Sequence, residues 1–188
     1  MKVVIIGAGP GGLTAAMILA NRGVDVHIYE KAPHIGGRNA EMNVGPYTFD
    51  VGPTFLMMPF ILEEVFELAG RNVKDYCTIT DLDPMYRLCF KDTHLDISHN
   101  HQKMRKQIAE LFPGEEHGFD QFLKDEQKRF EKMLPCLKVP YGGWTSYFSK
   151  KLIGALPYMS VGQSMYDVLS KYFKSEQLKY AFTFQSKY

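Results

Sequence analysis

Three glycines, Gly7, Gly9 and Gly12, stand directly after a run of apolar, β-branched residues at 3–6. A G-x-G-x-x-G turn between a strand and a helix is suited to holding a pyrophosphate. The first glycine lets the chain turn sharply, the second lets backbone approach the phosphates, and the third lets the helix lie against the sheet. The helix then offers its unpaired N–H groups and the positive end of its dipole to the anion. Glu30 follows 18 residues after Gly12. At that distance a carboxylate can accept hydrogen bonds from the 2′- and 3′-hydroxyls of a ribose, and it repels a 2′-phosphate, which argues against NADP. Next come Gly36, Gly37 and Arg38. Paired glycines let backbone approach a ligand, and a guanidinium offers a forked donor to a phosphate or a ring oxygen. An ordinary loop can also carry two glycines, and spacing alone leaves NAD open beside a flavin dinucleotide.

Such residues need a βαβ unit to hold them. Residues 3–6 suit a buried parallel strand. Leu13, Ala16, Met17 and Ala20 give the following helix one apolar face, and Gly23 is placed to cap its end. Val24, Val26 and Ile28 predict a second strand over 25–29. Residues 39–44 and 47–51 read as two strands around Gly45 and Pro46, with Gly52 and Pro53 breaking the second and Thr54 placed to cap the next helix. A helix over 59–70 carries Ile61, Leu62, Val65 and Phe66 on one face and ends at Gly70.

Further along, residues 85–90 and 94–97 read as a hairpin and 102–112 as a helix. The longest helix is predicted over 115–134, with Phe119, Phe122, Leu123, Phe130, Met133 and Leu134 as a stripe. Its mixed charges fit a solvated opposite face. Pro135, Pro140, Gly142 and Gly143 read as a break. Lys150 and Lys151 then precede an uncharged, apolar run at 152–159. This stretch reads equally as a buried helix or as a segment that dips into a membrane surface. Helices are predicted over 164–173 and 175–182. His94, His99 and His101 fit a polar corner better than a metal site, which wants a fuller ligand set.

The chain has 188 residues, is 45% hydrophobic and 13% aromatic, and carries a net charge of +1. This is enough apolar material for a core, and the charge gives no case for nucleic acid. Cys77, Cys89 and Cys136 form no paired motif and read as reduced core thiols of a cytosolic protein. The start is spent on a strand and a turn rather than on a signal peptide, and no stretch is long and apolar enough to span a bilayer.

The run from Val3 to Arg38 resembles the signature of flavoproteins related to amine oxidases, protoporphyrinogen oxidases and carotenoid desaturases. Gly7, Gly9, Gly12, Ala16, Leu19, Gly23, Glu30, Gly36, Gly37 and Arg38 stand at matching positions. The string YTFDVGPTFLMMP at 47–59 narrows the resemblance to the bacterial-type carotenoid desaturases, acting on phytoene or diapophytoene. The resemblance implies FAD, bound through Gly7, Gly9, Gly12, Glu30, Lys31, Gly36, Gly37, Arg38, Gly52, Pro53 and Thr54. It places the turn from Asp50 to Thr54 beside the flavin, where a strand-ending turn that merely packs is the alternative. Asp50 is the one acidic candidate near the reacting bond, and a catalytic base is otherwise unassigned. Met57, Met58 and Phe60 suit either the mouth of a channel for a long polyene or plain core filling.

The implied fold is α/β, a Rossmann-like FAD/NAD(P)-binding βαβ unit with an inserted α+β substrate domain, incomplete. Residues 1–55 belong to the first and 56–188 to the second. In the resembled family a later segment completes the FAD domain. The chain, ending in Phe184, Gln185, Ser186, Lys187 and Tyr188 without a closing turn, is therefore expected to be an N-terminal part, inactive alone. The implied partners are a long apolar polyene and a membrane surface touched peripherally from the cytoplasm. Two other readings share the scaffold. One is a related amine or protoporphyrinogen oxidase or a carotenoid oxygenase. The other is a non-catalytic prenyl- or lipid-binding protein like the GDP dissociation inhibitors of Rab proteins. An intact glycine turn with Glu30 and Gly36-Gly37-Arg38 favours a flavin binder.

Overall fold

Strand β1 (Lys2–Ile6) pairs in parallel with β2 (Asp25–Tyr29), from Lys2 opposite Asp25 to Ile6 opposite Tyr29. Helix α1 (Pro10–Asn21) makes the crossover between them. Pro10 at its first turn has no N–H to leave unsatisfied. At the far end Gly23, with φ +75°, donates its N–H to the Ala20 carbonyl at 2.9 Å and closes the helix. The structure is a computed structural model and describes residues 1–183. The expectation about the closing residues 184–188 lies outside the described residues.

The buried strand expected at 3–6 is buried on one face only. Val3 and Ile5 are half-buried, whereas Val4 and Ile6 are exposed, Ile6 to 90%. Two strands and one helix cover one side of a parallel sheet, and such sheets ordinarily need cover on both. Apolar burial among residues 1–80 is correspondingly thin: Ala8, Ala16, Ala69 and Val73.

A 3-10 turn at Gly37–Asn39 leads into an antiparallel hairpin of β3 (Glu41–Val44) and β4 (Tyr47–Asp50). Every residue of both strands is exposed. Helix α2 (Pro59–Leu68) starts with Met58 at its N-cap, so Thr54 does not cap it as expected. Three residues separate Thr54 from the cap position, and Pro59 sets the start instead. Asn21, closing α1, donates its side-chain amide to the Leu68 carbonyl at 3.2 Å and ties α2 to α1. Residues 56–80 lie within the first compact unit, Met1–Thr80.

The second compact unit begins at Asp81. Its hairpin is β5 (Tyr86–Cys89) and β6 (His94–Ile97). Helix α3 (His101–Leu111) is capped by Asn100, whose side chain accepts the Lys103 N–H. Helices α4 (Glu116–Leu137), α5 (Lys150–Ala155), α6 (Met165–Leu169) and α7 (Glu176–Thr183) complete the unit's helices. Leu95, Ile97, Ile108, Phe119, Leu169, Phe173 and Leu178 form the centre of one core. Ser164 and Asp167 cap α6 reciprocally, each side chain on the other's backbone N–H.

Three expectations need correction here. Pro135 does not end α4, which runs on to Leu137. So close to the terminus a proline removes only the bond to the Glu131 carbonyl, and Cys136 beyond it is buried. The α4 stripe is buried at Phe119 and half-buried at Phe122, but Leu123 and Phe130 are exposed. Of the three cysteines only Cys136 is a core thiol, since Cys77 and Cys89 are exposed. Among the described residues no helix is long and apolar enough to cross a membrane. His101 is paired with Asp120 at 3.0 Å, and no group of three or more potential metal ligands occurs among the described residues.

Candidate functional site

The glycine turn grows out of the β1–β2 ladder. The Gly7 N–H donates to the Tyr29 carbonyl at 2.8 Å, after which the chain swings into α1. Gly9 is the N-cap residue and its carbonyl accepts the Leu13 N–H at 3.0 Å. Gly12 faces the Gly7 carbonyl so closely that a Cβ there would collide with backbone. A Cβ on Gly11 would meet nothing, and one on Gly9 only the Gly37 Cα at 4.0 Å. The N–H groups of Gly11 and Gly12 lie in the first turn, where no intrahelical acceptor exists. The result is an open groove floored by backbone donors at the positive end of a 12-residue helix.

Glu30 closes one side. Its Oε2 accepts the Ala8 N–H at 2.7 Å and its Oε1 accepts the Ala32 N–H at 2.9 Å. Backbone donation from Ala32, then from Ala8, holds its carboxyl below the usual range, so it is ionised near neutrality. The Lys31 backbone also bonds it, and since a carboxylate has about four acceptor directions, capacity remains for a hydroxyl.

Ala8 is the residue that sequence reasoning missed. It is 2% exposed. Its N–H goes to Glu30, and its carbonyl accepts the Gly36 N–H at 2.8 Å. The only signal for it was a small residue between the first two glycines. Through Ala8 the loop at Gly36 is docked on the glycine turn. A Cβ on Gly37 would sit 3.0 Å from the Gly9 Cα, and Gly37 has φ +57°, so both space and backbone require glycine.

The turn after β4 joins the same cluster. Gly52 lies against the Arg38 carbonyl, leaving no room for a Cβ, and the Val51 N–H donates to the Ala40 carbonyl at 3.4 Å. The structure thus brings together Gly7, Gly9, Gly12, Glu30, Gly36, Gly37, Gly52 and the Arg38 backbone. It does not enclose the remaining candidates: Lys31, Asp50, Pro53 and Thr54 are exposed, as is the Arg38 residue as a whole. Two concavities are lined by other residues. One of about 400 Å³ is lined by Glu63, Glu67, Arg71 and neighbours, and one of about 350 Å³ lies beside α4.

The residues present fit the pyrophosphate and ribose half of a dinucleotide: backbone donors, absent side chains at the glycine turn, and a carboxylate fixed just beyond the end of β2.

Comparison with known proteins defines the class first. Residues 5–71 match the NAD(P)-binding Rossmann-like domain, a span that takes in the glycine turn, Glu30, the Gly36 loop and α2. Over almost its entire length the chain is then similar to named enzymes. It is 42% identical over 186 residues to a 4,4′-diapophytoene desaturase (4,4′-diapolycopene-forming) of Methylomonas sp, covering 99% of this chain and 36% of the relative. It is 34% identical over 190 residues to the zeta-carotene-forming phytoene desaturase of Myxococcus xanthus, covering 100% of this chain and 37% of the relative. It is 31% identical over 190 residues to a 4,4′-diapolycopen-4-al dehydrogenase of Metabacillus indicus, covering 100% of this chain and 38% of the relative. Over almost its whole length the chain is thus similar to diapophytoene and phytoene desaturases, and its residues 5–71 form an NAD(P)-binding Rossmann-like domain. It spans little more than a third of the length of these relatives.

Proposed function

We propose that this chain supplies the nucleotide-gripping part of an FAD-dependent desaturase acting on an apolar polyene such as diapophytoene or phytoene. The observation that carries the reading is the convergence of two separate sequence segments on Ala8 and Gly9. Glu30 and Gly36 bond the Ala8 backbone, and Gly37 lies on Gly9. The α1 donors would take the pyrophosphate, Glu30 the ribose hydroxyls, and the loop at Gly36 to Arg38 the phosphate flank. Gly52, Pro53 and Thr54 would lie toward the ring, with Asp50 beside them. A bound flavin supplies a hydride acceptor, which a hydrocarbon without ionisable groups requires. The protein's part is to hold it in place and to keep water from the reacting bond.

A second reading is supported by the similarity to a diapolycopen-4-al dehydrogenase. The same nucleotide grip would then serve oxidation at an oxygenated polyene end. Both readings have the protein meet its substrate at a membrane surface, as a peripheral protein. The test uses the longest natural form of the protein with FAD and with phytoene, diapophytoene or a diapolycopene aldehyde in liposomes. Bound flavin absorbance and a red-shifted polyene product support the desaturase. Turnover of the aldehyde alone supports the second reading. A protein that gains no flavin spectrum on adding FAD sinks both.

A further inference from the structure

The second unit carries a surface that the nucleotide site does not use. Between Glu131 and Asp167 the sequence has no acidic residue, while Lys132, Lys138, Lys150 and Lys151 fall inside this stretch. It folds as a 3-10 turn at Trp144–Phe148, then α5, then a second 3-10 turn at Leu156–Tyr158. Ala155 is fully buried, but the large apolar side chains are not. Trp144 is 86% exposed, Phe148 75% and Val161 82%, with Ile153 and Leu156 exposed between them.

Val161 is also on the wall of the 350 Å³ concavity, with Pro157, Tyr158 and Met159. The other wall is cationic: Lys128, Arg129 and Lys171, with Asp125 as the acidic member. Arg129 is held in place, its Nη2 donating to Ser160 Oγ at 3.1 Å and its Nη1 lying 3.2 Å from Glu126 Oε1. The Lys171 Nζ donates to Gln163 at 2.7 Å. Asp125 is occupied by the Gln121 amide and the Tyr172 hydroxyl. One wall is thus suited to an anion and the rim to hydrocarbon.

We infer that this cavity binds the phosphate headgroup of an anionic phospholipid, on a bilayer that Trp144, Phe148 and Val161 enter. The inference rests on the peripheral-membrane part of the proposed function and names the face and the lipid class. A free phosphate would need no exposed apolar rim. A second copy of the chain would set lysines against lysines across a two-fold axis. A bilayer with negative headgroups satisfies both halves: lysines attracted to the surface charge, and aromatic and aliphatic side chains in the interfacial layer.

Trp144 is the chain's single tryptophan, so its emission reports insertion directly. The chain is mixed with vesicles of phosphatidylcholine, or of phosphatidylcholine with phosphatidylglycerol, and both sedimentation and emission are read. The expected result is binding to the phosphatidylglycerol vesicles with a blue shift. Lys128→Gln and Lys171→Gln, both at exposed positions, should each weaken that binding by about fivefold without changing emission in buffer. Excess inorganic phosphate at constant ionic strength should not release the protein. Equal binding to both vesicle types, or release by phosphate, overturns the headgroup site while the desaturase reading stands. Binding without a blue shift overturns insertion at Trp144. A chain that binds neither vesicle overturns this inference, and the flavin spectrum then decides separately on the proposed function.

Discussion

Glu30 Oε2 accepts the Ala8 N–H at 2.7 Å, so the carboxylate at the end of β2 fixes the backbone of the turn that succeeds β1. A residue expected only to meet a ribose is also a structural tie within the turn. The two roles are compatible because a carboxylate has more acceptor directions than the two that Ala8 and Ala32 take up. On the proposed function, nucleotide affinity and turn geometry would depend on the same charge.

That dependence predicts a pH response. The Glu30 carboxyl titrates below its ordinary value of 4.5 because Ala32 and Ala8 donate to its ionised form. A depressed folded pKa contributes stability that is fully present above the unfolded value and is lost as pH falls through the folded one. FAD affinity of the natural full-length protein should therefore be flat near neutrality and fall on acidification below 4.5. Glu30→Gln keeps an acceptor for Ala8 but no charge. It should bind FAD about tenfold more weakly at neutral pH and lose the acid limb. Fluorescence titration across pH measures both, and an unchanged profile in the variant would rule out Glu30 as the group concerned.

Gly52→Ala tests whether the turn after β4 is docked on the Gly36 loop. A Cβ at Gly52 meets the Arg38 carbonyl, a backbone atom that has no rotamer to escape into. Overpacking of this kind costs about 1–3 kcal/mol. The expected outcome is a lower melting temperature of the first unit and reduced cofactor retention. Alanine at Gly45, an exposed hairpin position with open space around it, gains no such collision and is strained only by its φ of +60°. It should cost about 1–2 kcal/mol and leave cofactor retention alone. Equal loss of retention in both variants would refute the docking.

The two units should differ in opening. Burial of large apolar side chains is concentrated in the second, at Leu95, Ile108, Leu169, Phe173 and Leu178. Burial in the first unit is mostly alanine, and its β3–β4 hairpin is exposed throughout. Local stability tracks buried apolar contact. Hydrogen exchange should be fast at residues 41–50 and slowest in α3, the first half of α4 and α7. FAD, by binding the folded first unit, should slow exchange there and not in the second. Equal protection in both units without FAD would contradict this.

The sequence made the βαβ unit and both hairpins legible because each is written in local signals: period-two alternation, a glycine at a positive φ, and an acid at a fixed distance. Residues 25–29 and 94–97 form strands at those bounds. The hidden part depends on contacts between distant residues. Nothing near Gly52 indicates that it lies on Arg38, and Ala8 looks like filler between glycines until Glu30 and Gly36 both bond to it. Periodicity also overstates burial: the α4 stripe is apolar along its length, but Leu123 and Phe130 are exposed and Met133 and Leu134 only half-buried. Pro135 failed as a stop signal because it falls in the last turn, where one missing hydrogen bond is tolerated.

Gly118 offers a last test, of packing in the second unit. It lies on α4 against the Tyr172 carbonyl, so closely that a Cβ would collide with backbone. On the same side Tyr172 donates its hydroxyl to Asp125 at 3.1 Å, and Phe173 stacks on Phe182 with centroids 5.1 Å apart. Gly118→Ala would push the segment between α6 and α7 off α4 and strain contacts made on both sides of it. Overpacking of this kind should cost about 1–3 kcal/mol, seen as a melting transition of the second unit lowered by several degrees. Gly114→Ala gains no collision but has φ +89°, so its loss should be backbone strain alone. Phe173→Ala should cost about 3–5 kcal/mol by opening a cavity in the core. If Gly118→Ala melts with the wild type while Phe173→Ala does not, the core is as described but the close approach of α4 to Tyr172 is wrong.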